Sequence, residues 1–187
     1  MPVYVCMLRG VNVGGHGKIK MDALRALCGD IQLHGAQTYV QSGNVVFRSR
    51  EANETKLAAK IQDAIEKEFG FAPPVMLRTT AEMRAVVKTN PFAKRKDVEP
   101  GKLLVDFLRE LPGAELKAKI AALKPSPEEL HLVGRELYIY FPDGQGRSKF
   151  VPGLDRVLKD TVTGRNWNSV TKLLEMAEAL ENAEFSK

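Results

Sequence analysis

Near the start of this 187-residue chain, Val3-Tyr4-Val5-Cys6-Met7-Leu8 sets six apolar residues in a row. The run is short and rich in β-branched and aromatic side chains, which reads as a strand. Side chains alternate between the two faces of a strand. Val3, Val5 and Met7 therefore share one face, and Tyr4, Cys6 and Leu8 the other. Both faces call for burial, as in a strand internal to its sheet and covered on two sides. A layered fold follows.

The residues downstream build on that strand. Met21, Leu24, Leu27 and Cys28 fall on one face of a helix. Gln37–Gln41 and Asn44–Ser49 read as strands of a hairpin turning at Ser42-Gly43. Asn53 can cap a helix striped by Leu57, Ile61, Ala64, Ile65 and Phe69. Pro73-Pro74 stops the chain, and Val75–Thr79 returns as a strand. The order βαββαβ is the ferredoxin-like pattern.

The second half echoes it in pattern but not in sequence. Thr79 and Glu82 form a capping box for a helix carrying Met83, Val86 and Val87. A strand (Leu103–Leu108), a helix (Ala114–Leu123) and a hairpin (Leu130–Val133 with Leu137–Phe141) follow. Asp143-Gly144-Gln145-Gly146 reads as a mobile loop, and Val170, Leu173, Leu174, Ala177 and Leu180 stripe a last helix. The expected fold is α+β: a ferredoxin-like subdomain over 1–80 and a related α+β unit over 81–187. The charged loop Lys94–Gly101 is the best candidate for the break. A ferredoxin-like unit covers only one sheet face with helices, so the second half is expected to pack on the other.

Composition excludes some classes. Hydrophobic residues are 44% and charged residues 27%, as in an ordinary globular protein. No apolar run approaches the length of a membrane span, and the start lacks the basic region of a signal peptide. Two cysteines, Cys6 and Cys28, cannot build a disulfide framework and fit buried thiols of a reducing cytoplasm. The net charge of +5 is uneven. Residues 1–50 hold six Lys/Arg against two acids, which favours an anionic partner near that half.

"RGVNVGGHGKIK", Arg9 to Lys20, carries that charge beside four glycines. A Walker loop requires Gly where Asn12 stands and a hydroxyl where Ile19 stands. A dinucleotide fingerprint requires its third glycine where Lys20 stands. Both motifs fail. Two readings remain: an anion nest of Gly14 and Gly15 amides flanked by Arg9, Lys18 and Lys20, or a plain set of turns. In the ferredoxin-like arrangement, Gln41-Ser42-Gly43-Asn44 falls at the same sheet edge. Asn12, Gln41, Ser42 and Asn44 would then supply donors and amides around one pocket. A third polar cluster, Arg165-Asn166-Trp167-Asn168-Ser169, either caps and anchors the last helix or holds a phosphate or ring.

Other chemistry finds less. His16, His34 and His131 lack metal-ligand spacing, so no metal site is indicated. Ser42 lacks the first glycine of a nucleophile elbow, and Val45-Val46-Phe47-Arg48 lacks the RNP pattern of an RNA-binding sheet.

Three blocks are shared with a known family: Leu8–Met21 (LRGVNVGG with KIKM), Thr38–Phe47 (TYVQSGNVVF) and Gly164–Ala177 (GRNWNSVTKLLEMA). On these the chain resembles the widespread, mainly bacterial domain of unknown function 1697. Gly164 and Ser169 depart from the Ala and Thr usual there. The resemblance implies an α+β fold of two subdomains, the first ferredoxin-like, and no activity, cofactor or catalytic residue. The expectation for function is a cytoplasmic protein binding a nucleotide, phosphorylated metabolite or nucleic acid at the edge formed by 9–20 and 41–44. A metal-independent transferase or hydrolase using Ser42, and a scaffold with no ligand, are the alternatives.

Overall fold

The computed structural model describes residues 1–183. It is an α+β protein with two four-stranded antiparallel sheets and six α-helices among the described residues. The chain divides into one unit of Met1–Ala85 with Lys172 onward, and a second of Val86–Thr171.

In the first unit the order is β1 (Val3–Leu8), α1 (Met21–Asp30), β2 (His34–Tyr39), β3 (Asn44–Arg48), α2 (Glu54–Phe69) and β4 (Val75–Thr79). The strands lie in the order β2-β3-β1-β4. All six residues of β1 are buried. Tyr4, Cys6 and Leu8 join Leu24 and Cys28 of α1 and Leu57, Ile61 and Ile65 of α2 in one apolar cluster. Val3, Val5 and Met7 on the opposite face are no more than 3% exposed, which matches the two-faced burial read from the sequence.

Caps explain where the helices begin. Asn53 Oδ1 accepts from Lys56 N at 2.9 Å at the start of α2, which ends on Gly70 at φ 77°. Thr79 and Glu82 close a reciprocal box ahead of α3 (Thr80–Lys88): Thr79 N donates to Glu82 Oε2 at 2.7 Å and Glu82 N to Thr79 Oγ1 at 3.2 Å. The α1 start differs, because Lys20 stands at the N-cap and brings no side-chain bond.

The second unit runs β5 (Leu103–Leu108), α4 (Ala114–Ala122), β6 (Glu129–Val133), β7 (Glu136–Tyr140), α5 (Val151–Leu158) and β8 (Val162–Asn166), with sheet order β6-β7-β5-β8. α6 (Trp167–Asn182) follows. Helix α5 and strand β8 are additions to the sequence reading, which placed a loop at 143–146 and a polar cluster at 165–169 and assigned no element between them. Pro at the first turn of α5 resembles a breaker, yet that position needs no amide donor. Strand β8 contains Thr163, Gly164, Arg165 and Asn166 and shows no apolar alternation.

The two units repeat one backbone plan. Leu8 pairs with Val75, and Leu108 with Val162. Leu8 N donates to Gly43 O at 2.9 Å and Leu108 N to Arg135 O at 2.8 Å. Arg9 N donates to Pro74 O at 3.0 Å and Arg109 N to Thr161 O at 3.2 Å. The loops growing from that shared root differ. β1 and α1 are joined by residues 9–20, whereas β5 and α4 are joined by 109–113 alone. The turn of the first hairpin is 40–43, and that of the second is 134–135.

Candidate functional site

The long loop after β1 has its own internal structure. Val13 and His16 form an isolated antiparallel bridge, with His16 N on Val13 O at 3.1 Å and Asn12 N on Gly17 O at 3.0 Å. Gly14 and Gly15, at φ 60° and 81°, are the central pair of this small hairpin, where positive φ at both positions is required. The glycine freedom thus closes a turn. Gly17, at φ 59°, has a different reason: a Cβ there would lie 2.6 Å from Gly10 O.

Asn12 fastens this loop to its surroundings. Its Oδ1 accepts from Ile19 N at 2.9 Å, and its Nδ2 donates to Ile19 O at 2.9 Å and to Gln41 O at 2.8 Å. The residue sits at φ 56°, a region Asn tolerates better than most. Asn44 does comparable work in the second turn. It is fully buried, with Nδ2 donating to Tyr39 O at 3.0 Å and Ser42 Oγ at 2.9 Å. Both amides expected to face a ligand are instead engaged with backbone and turn.

Between the two turns lies an open depression of about 700 Å³ lined by Asn12, Gly15, Lys18, Ile19, Lys20 and Gln41. Lys18 and Lys20 are exposed, while Ile19 between them is 3% exposed. Arg9 is half-buried at the loop's root, and Gly14 is exposed at the hairpin tip. Neither is among the lining residues. Asp22, in the first turn of α1, is bound by the Arg25 guanidinium, which also donates to Thr38 Oγ1. Val13 and Val40, chain neighbours of lining residues, are 63% and 50% exposed. Val40 holds φ 50°, which costs a β-branched residue about 1–3 kcal/mol.

The third expected cluster lies in the second unit. Arg165 is buried on β8, with Nη1 donating to Thr163 Oγ1 and to Gly164 O, each at 2.8 Å. Asn166 Oδ1 accepts from Ser169 N at 3.2 Å, so it caps α6, and Trp167 is the first helical residue. These contacts serve local structure. Sequence reasoning missed Ile19 as a lining residue of the first site. The available signal was apolar residues standing inside polar, glycine-rich turns.

Among the described residues, no group of three His, Cys, Asp or Glu could hold a metal ion, and no helix is long and apolar enough to cross a membrane.

Residues 1–138 match the family described as Protein of unknown function (DUF1697), and the chain belongs to that family. The third shared block, 164–177, lies beyond the matched segment. Among solved structures, the chain is similar to conserved bacterial protein SP0830 from Streptococcus pneumoniae. The identity is 21% and the TM-score 0.80, over 95% of this chain and 99% of that one. A search of curated proteins finds no match. The likeness bears on fold, and activity has to be argued from the site.

Proposed function

We propose that the first unit binds an anionic ligand in the depression between loop 9–20 and turn 40–43. The observation that carries this is the contrast between two edges built on the same backbone root. The edge in the second unit is closed by 109–113 and a two-residue turn. The edge in the first is enlarged into a hairpin, a second turn and a depression with Lys18 and Lys20 on its wall. The fold alone does not require the additional residues, and long ordered loops of this kind are commonly functional. Lys18 and Lys20 would receive the negative groups, helped by the backbone at Gly15 and by the positive end of α1. Arg9 adds to the local potential. Asn12 and Gln41 shape the walls, and Ser42 and Asn44 brace the second turn.

The element order and strand order of the first unit also support reading it as ferredoxin-like. The group-transfer alternative has no observation in its favour, since the Ser42 hydroxyl is drawn into its own turn by Asn44.

The test is a thermal-shift panel of inorganic phosphate, nucleotides and sugar phosphates on the wild type and on the double variant Lys18→Ala/Lys20→Ala. Stabilisation of the wild type alone is the expected result. Equal melting shifts in both proteins would remove this reading. Nucleic acid is separated from small anions by salt, because several phosphate contacts make affinity fall steeply as salt rises.

A further inference from the structure

Strand β6 is the outer strand of the second sheet, whose order is β6-β7-β5-β8. The direction of its backbone groups follows from its neighbour. Arg135 O accepts from Leu108 N at 2.8 Å, and Phe141 N donates to Lys102 O at 2.9 Å. Alternate residues of β7 between those two points, Leu137 and Ile139, therefore turn their backbone to β5. Glu136, Tyr138 and Tyr140 face β6, where they pair with Val133, His131 and Glu129. Leu130 and Leu132 are left with their N–H and C=O groups directed off the sheet edge. Among the described residues, no strand pairs with that edge.

The edge is also unguarded. The pairing of β6 with β7 runs without a bulge, whereas that of β2, the outer strand of the first sheet, shifts between His34 and Gln37. β6 contains neither Pro nor Lys, and its carboxylate, Glu129, is held by Arg95. Bulges, Pro and free charges are what usually keep an exposed edge from pairing. Leu130 and Leu132 share one face of the strand. With Ile120, Ala121 and Leu123 they line an apolar groove of about 260 Å³, below the roughly 300–1,000 Å³ of small-molecule pockets. Lys117, one helical turn before Ala121 on α4, brings a charge to this lining. It is exposed and forms no ion pair among the described residues, whereas Lys119 is bound to Glu115 at 2.6 Å.

We propose that this groove takes an extended peptide segment of a partner protein, added beside β6 as a further strand. The outward groups of Leu130 and Leu132 call for an extended occupant, because a strand presents donors and acceptors at the matching spacing. Every second side chain of that strand falls on the groove side, so the segment alternates apolar with polar residues. An acidic residue of the segment meets Lys117. Main-chain bonds supply affinity in this mode, and the groove selects the alternate side chains.

Fluorescence anisotropy on the full chain at low salt tests this. The probes are short labelled peptides in which valine, leucine or phenylalanine alternates with threonine and the last residue is glutamate. At least one is expected to bind. N-methylation of one alternate set of its amides should weaken binding about tenfold and that of the other set should not, because an added strand bonds through one edge only. Ala121→Gln fills the groove and Lys117→Glu reverses its charge, and each should weaken binding about tenfold. Both positions are exposed, so an unchanged melting temperature checks the fold. The proposal is overturned if no peptide binds the wild type, if both methylated sets bind as the parent does, or if binding survives either substitution. It is overturned too if the free chain sediments as a dimer that Ala121→Gln turns into a monomer, since a second copy then occupies the edge.

Discussion

Asn12 Nδ2 donates to the carbonyl of Gln41 across 29 positions of sequence, at 2.8 Å. The same side chain holds both backbone groups of Ile19. One residue thus joins the glycine hairpin, the lysine strip and the second turn. Replacing Asn12 by Ala removes three hydrogen bonds and places a methyl-bearing residue at φ 56°. The expected loss is about 1–3 kcal/mol, read as a lower urea midpoint. Asn12→Gly removes the same bonds but not the backbone freedom, so it should be less destabilised than the Ala variant. Equal losses would mean that the left-handed conformation carries no cost here.

Gly43 and Gly15 provide a matched pair. Both have positive φ, at 75° and 81°. A Cβ on Gly43 would meet Leu8 Cβ at 2.9 Å and Val11 Cβ at 3.2 Å, whereas one on Gly15 meets nothing within 4 Å. Gly15→Ala should cost only the backbone term, about 1–2 kcal/mol. Gly43→Ala adds overlap with atoms fixed to the β1 backbone and should cost about 1–3 kcal/mol more. Denaturation of the two variants side by side measures the difference.

Burial pushes the Cys28 thiol up from 9.0 to about 12, and Cys6 is 1% exposed. Neither should react with a thiol reagent in the native protein near pH 8, and both should react in denaturant. A thiol whose folded pKa is raised contributes stability that is complete below the unfolded value. That contribution is lost as pH rises from about 9 towards 12. Cys28→Ala should therefore flatten the alkaline decline in melting temperature.

In the second unit, Arg95 organises the segment before β5. It donates to both carboxylate oxygens of Asp97, at 3.1 and 2.5 Å, and to Glu129 Oε2 at 2.6 Å. Its guanidinium carbon also stands 5.6 Å from the Phe92 ring centre and 5.9 Å from that of Tyr140. The hydrogen bonds from Arg95 hold the Asp97 carboxyl below its ordinary value. A carboxyl with a depressed folded pKa contributes stability above its unfolded pKa and loses it as pH falls through the folded one. Protection of the amides in residues 92–102, taken relative to their intrinsic exchange rates at each pH, should fall on acidification below the usual carboxylate range. Arg95→Ala should show fast exchange already at neutral pH and little further change with acid.

Much of the fold was legible because apolar periodicity is a local signal. The two-faced pattern of β1 and the stripes of α1 and α2 identify which residues are buried, and the caps at Asn53 and Thr79 mark where helices begin. Helix α5 and strand β8 were hidden for opposite reasons. The former carries Pro152 and Gly153 in its first turn, residues that resemble a loop, and the latter carries polar residues whose strand conformation comes from pairing with β5. At the candidate site, topology placed the two turns at one sheet edge. It did not disclose that Asn12 and Asn44 are consumed by the turns themselves, since the partners of a side-chain amide are set by which backbone groups lie within reach.

By itself, then, the sequence determined the layered α+β class, the internal position of β1, the failure of both nucleotide-binding motifs and the cluster of cations beside four glycines. These depend on residue type and spacing alone. Tertiary structure decided that the two units share one backbone plan, and that only the first enlarges its edge into a depression walled by Lys18, Lys20 and Gln41. Those relations arise from hydrogen bonds between segments distant in sequence, such as Leu8 to Gly43 and Asn12 to Gln41. Such bonds leave no periodic trace in the residues that make them.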